Sequence, residues 1–101
     1  MIEKQAVDRE KALLIGVIRP GITENIVHEH LDELELLADT AGAEVVGRVT
    51  QKVSRINAAT FLGKGKAQQV IDQAAALGVS LIFFDDELSP AQIKNYHQMS
   101  Q

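Results

Sequence analysis

Residues 12–18 read Ala-Leu-Leu-Ile-Gly-Val-Ile, an unbroken apolar run that Arg19-Pro20-Gly21 closes. A run this short with no polar interruption has no face to offer to water. It reads as a central strand of a parallel sheet, covered on both sides. Downstream the period changes. Val27, Leu31, Leu34, Ala38 and Ala41 recur at steps of four, three, four and three, with carboxylates on the remaining faces. That spacing predicts a helix over 24–41, with Gly42 where a left-handed C-terminal residue belongs.

The same reading continues outward. Residues 44–51 (EVVGRVTQ) form a second strand, followed by a loop over 52–59 and a short extended piece at 60–62. A helix beginning near Gly65 or Lys66 carries Ala67, Val70, Ala74 and Leu77 on one stripe and ends at Gly78. Residues 81–84 (LIFF) are a third buried strand. Ser89-Pro90 pairs a good N-cap with a good first helical residue and opens a helix to about Met99. The order β-α-β-loop-α-β-α implies an α/β fold, a three-layer sandwich with a small, mainly parallel sheet flanked by helices. Because the chain stops one helix after its third strand, a following strand and a longer parent protein are expected. Functional residues of such sheets gather beyond the carboxyl ends of the strands. Three segments fall there: 19–21, the loop from Gln51, and 85–87.

With 101 residues, 46% apolar and 24% charged, the chain is a single ordinary globular domain. It has no cysteine, which excludes disulfides and thiol chemistry, and its three histidines are too scattered for a zinc site. No apolar run approaches the length of a membrane span, and the charged N-terminus is unlike a signal peptide. A cytoplasmic protein is expected.

The net charge of −4 hides an asymmetry. Residues 48–66 (RVTQKVSRINAATFLGKGK) hold Arg48, Lys52, Arg55, Lys64 and Lys66 and no carboxylate, giving +5. The rest of the chain holds five cations against 14 carboxylates, giving −9. A cationic patch on an acidic protein points to a polyanion at one face. The segment ends on Gly63-Lys64-Gly65-Lys66, where glycines expose backbone N–H groups beside two ammonium groups, a combination suited to phosphate. It is neither GxxxxGK[ST] nor GxGxxG, and a flexible turn with solvated lysines is the competing reading. Asp85-Asp86-Glu87 could hold Mg²⁺, but neighbouring residues of an extended chain point apart, so N-terminal capping and dipole complementation of the last helix are the preferred role. His28 and His30 face different directions. Phe61 is the one aromatic within the basic segment, and it reads as an apolar anchor before a base-stacking surface. No catalytic spacing is visible.

Three segments together resemble the N-terminal domain of the HflX family of ribosome-associated GTPases. They are 36–47 (LLADTAGAEVVG), the stretch from Gln51 through Asn57 and Thr60 to Lys66, and 84–92 (FDDELSPAQ) followed by Asn95. The resemblance spans about residues 10–98. It implies an α/β subdomain ahead of a helical hairpin and a GTPase domain that would carry GTP and Mg²⁺, neither domain being present in this chain. It also implies action on the large ribosomal subunit, splitting or rescuing stalled ribosomes, with rRNA as partner alongside the remaining domains of the full protein. On that reading this chain is not itself an enzyme. Lys52, Arg55, Lys64 and Lys66 face rRNA phosphates, Gly63 and Gly65 allow close backbone approach, and Asn57 adds polar contacts. Two other readings stand beside it: an ATP-binding module with phosphates on 63–66, or a structural domain regulating the GTPase domain. Asn95-Tyr96-His97 departs from the family's Asn-Leu-Glu, so different packing of the last helix is expected.

Overall fold

The computed structural model describes residues 9–101. Strand β1 (Lys11–Ile18), helix α1 (Glu24–Thr40), strand β2 (Glu44–Lys52), helix α2 (Lys64–Leu77), strand β3 (Leu81–Phe84) and helix α3 (Pro90–Met99) follow in order. The strands make one parallel sheet, β2-β1-β3, so the apolar run lies at its centre. Val46 is an extra residue opposite the Ala12/Leu13 step, a bulge in the β1–β2 register.

Because the chain moves from β1 to β2 on one side and returns to β3 on the other, right-handed crossovers place α1 and α2 on opposite faces. The alternation of β1 separates two cores accordingly. Leu14 and Ile18 meet Val27 and Leu31 of α1. Leu13, Ile15 and Val17 meet Val70 and Ala74 of α2. Helix α3 packs beside α2 through Tyr96 against Ala67 and Ile71, which completes the three layers. Gly16 marks the closest approach of α1, since a Cβ there would lie 2.6 Å from Val27 Cγ1.

The helix ends follow their local signals. Thr23 Oγ1 accepts the Ile26 N–H to cap α1, and Ser89 forms a reciprocal capping box with Gln92 on α3. Helix α2 starts at Lys64, one or two residues earlier than predicted, and ends on left-handed Gly78. The expected extended piece at 60–62 is instead a tight turn. Asn57 and Phe61 exchange both backbone hydrogen bonds, 2.9 and 2.8 Å, as an isolated bridge.

Candidate functional site

The basic segment begins on β2, and its first cation is occupied. Arg48 pairs with Asp32 at 2.7 Å and Glu35 at 2.9 Å across on α1. Those hydrogen bonds hold its guanidinium pKa above the usual value. The four predicted contact cations lie farther on. Lys52, Arg55 and Lys64 are exposed, Lys66 is half-buried, and among the described residues none of the four pairs with a carboxylate. Lys66 Nζ donates to the Lys52 carbonyl, which joins the carboxyl end of β2 to the first turn of α2. The positive charge of 52–66 therefore sits where the sheet's carboxyl edge meets a helix N-terminus.

Gly63 occupies the N-cap of α2 with φ 95° and ψ 152°, a region open essentially to glycine alone, and brings no side-chain cap. The first backbone bond across this end is from Ala67 N–H to the Gly63 carbonyl at 2.9 Å. The N–H groups of Lys64, Gly65 and Lys66 precede it at the positive end of the helix dipole. Gly65 lies within the first turn, and a Cβ there would meet nothing within 4 Å. Backbone N–H groups, a helix dipole and flanking ammoniums can together hold phosphate oxygens.

The loop between β2 and α2 is built inward. Asn57 Oδ1 accepts from the N–H groups of Ala59 (2.8 Å) and Thr60 (3.0 Å), so its carbonyl oxygen makes the turn and is not offered outward. Thr60 Oγ1 accepts the Gly63 N–H at 3.1 Å. Phe61 is buried and holds φ 69°, a left-handed conformation costing a bulky residue about 1–3 kcal/mol. Its ring meets Phe84 edge-on at 6.2 Å, so it is an anchor and cannot stack on a base. Side chains of α3 reach this loop: Gln92 Nε2 to the Asn57 carbonyl, Asn95 Nδ2 to Ala59 and Tyr96 OH to Thr60. These three were not anticipated. Their spacing is visible in the sequence, but their partners lie 35 or 36 positions away. Burial raises the Tyr96 hydroxyl pKa to about 12, so it remains a donor.

The capping expected of the acidic triplet falls instead to Ser89 and Gln92. Asp85 Oδ1 accepts the Val17 N–H at 3.3 Å, and Asp86 pairs with Arg19 at 3.0 Å, tying together the carboxyl ends of β3 and β1. Burial raises the Asp85 pKa despite the opposing Val17 bond. Among the described residues, no group of three or more His, Cys, Asp or Glu is placed to hold a metal. His28, His30 and His97 are exposed. A cavity of about 450 Å³ between α2, β3 and α3, lined by residues such as Ile71, Val79, Ile82 and Ile93, shares no residue with the basic segment. No described helix is long and apolar enough to cross a membrane.

Fold and site thus define a small parallel α/β domain with a cationic loop at its carboxyl edge. The chain belongs to the family described as GTP-binding GTPase N-terminal, whose model matches residues 28–101, and it corresponds to the N-terminal domain of HflX proteins. A protein named GTPase HflX from Flavobacterium psychrophilum is 45% identical over 95 residues, covering 94% of this chain and 23% of that protein. Another from Caldanaerobacter subterraneus subsp. tengcongensis is 42% identical, with 93% and 21% covered. The one from Escherichia coli is 32% identical, with 91% and 21% covered. The chain spans about a fifth of the length of these relatives.

Proposed function

We propose that this domain is the rRNA-facing part of an HflX-type GTPase that splits or rescues ribosomes in the cytoplasm, binding the large subunit without itself hydrolysing nucleotide. GTP and Mg²⁺ belong to the remaining domains. The observation that carries the reading is the set of four cations, Lys52, Arg55, Lys64 and Lys66, that have no carboxylate partner among the described residues and surround the uncapped N-terminus of α2. On an acidic chain whose Arg9, Arg19 and Arg48 pair with carboxylates, four such cations gathered at one edge favour a polyanion. Lysines and backbone N–H groups recognise phosphate and not base identity, so the domain reads RNA shape. Asn57 contributes through the turn it builds.

Co-sedimentation with purified large ribosomal subunits tests this. Lys64→Ala/Lys66→Ala should weaken binding and reduce the slope of log K against log salt by about 1.4–1.8, the loss of two phosphate contacts. Unchanged sedimentation would refute the reading. ATP on the same loop is the competing ligand, and Asp85 and Asp86 favour it little because they are committed to Val17 and Arg19. Thermal stabilisation by millimolar Mg²⁺-ATP would move weight to ATP.

A further inference from the structure

We propose that Gln92, Asn95 and Tyr96, one stripe of α3, are the positioning residues of the phosphate-facing loop. This rests on the rRNA-facing reading of residues 52–66. The three side chains stand at i, i+3 and i+4, so they share a helix face. Each donates to a loop carbonyl: Gln92 to Asn57 at 2.8 Å, Asn95 to Ala59 at 2.8 Å, and Tyr96 to Thr60 at 2.7 Å. Three donors from one rigid helix to three carbonyls within four residues clamp the turn. An unsupported loop of this length would sample many conformations.

The clamp also holds a conformation the loop would not choose alone. Phe61 has a positive φ, and its ring is trapped by Phe84, which in turn meets the Tyr96 ring edge-on at 5.3 Å. Thr60 is the point of transfer. Its carbonyl is held by Tyr96, while its hydroxyl receives the N–H of Gly63, the residue that aims the first turn of α2. The position of Lys64 and its backbone N–H therefore depends on α3. Gln92 is spent twice, since its Oε1 accepts the Ser89 N–H at 2.8 Å while its Nε2 holds the loop. Two segments distant in sequence, 57–63 and 89–96, thus form one hydrogen-bonded unit. Its effect is to fix the phosphate-facing groups before RNA arrives, lowering the ordering cost of binding.

Asn95→Ala and Tyr96→Phe test the proposal and spare the capping box; the second keeps the ring against Phe84. Amide hydrogen exchange over residues 57–63 and affinity for a large-subunit rRNA fragment at several salt concentrations are the readouts. Each variant should speed loop exchange about threefold to tenfold, the effect of one lost hydrogen bond. Affinity should fall by a similar factor, with a salt slope lower by about one as a phosphate contact is lost. Protection of β1 should be unchanged, and Lys94→Ala on the same helix should alter nothing. If Lys64→Ala/Lys66→Ala weakens binding while Asn95→Ala and Tyr96→Phe leave exchange and slope as they were, positioning by α3 is overturned and the interface stands. If the loop loosens but neither these variants nor the lysine variants change RNA binding, the interface reading fails and the positioning role falls with it.

Discussion

Replacing Gly65 with alanine should raise stability and lower RNA affinity together. Gly65 lies in the first turn of α2, its φ is not positive, and a Cβ would meet nothing within 4 Å. Alanine then brings only the helical advantage over glycine, about 0.5–1 kcal/mol. For a domain of this size each kcal/mol moves Tm by about 4–8 °C, so a rise of roughly 2–8 °C is expected. The same methyl would stand beside the first-turn N–H groups and hinder a phosphate's approach. Gly63→Ala is the contrasting variant. Space is open there too, but φ 95° with ψ 152° strains any L side chain by about 1–3 kcal/mol, so Tm should fall by at least about 4 °C. Differential scanning calorimetry and large-subunit co-sedimentation on both variants separate the two effects. A lower Tm for Gly65→Ala would refute the geometry. A higher Tm with unaltered binding would refute close approach at that glycine.

Gly16→Ala places a methyl 2.6 Å from Val27 Cγ1 and 2.9 Å from Leu31 Cδ1, both on fully buried side chains. Overpacking of this kind costs about 1–3 kcal/mol. Denaturant unfolding should show it, with partial rescue by Val27→Ala; strict additivity of the two substitutions would refute the contact. Asp85→Asn should stabilise the domain at pH 7. Burial raises the Asp85 pKa, so the folded chain still holds a proton after the unfolded chain has lost it, and stability falls as pH rises through that window. The asparagine has no such step and keeps an acceptor for the Val17 N–H. Its advantage should vanish below about pH 3.9, the ordinary Asp value; parallel stability curves against pH would refute it.

What the sequence alone determined is what depends on neighbours along the chain. The apolar run of β1, the helical period of α1, left-handed Gly42 and Gly78, and Ser89-Pro90 at the start of α3 each act within a few residues. The charge asymmetry of 48–66 was equally legible, and so was its resemblance to HflX proteins. Tertiary structure alone decided which cations remain available. Arg48 is neutralised because the sheet brings it under Asp32 and Glu35 of α1, and nothing near it in the sequence signals that. It also decided that Asp85 and Asp86 bind back to β1 and that α3 holds the loop. The physical reason is common to all three. A hydrogen bond or ion pair contributes only where its partner is brought within about 3 Å, and partners tens of residues away arrive there only when the layers close.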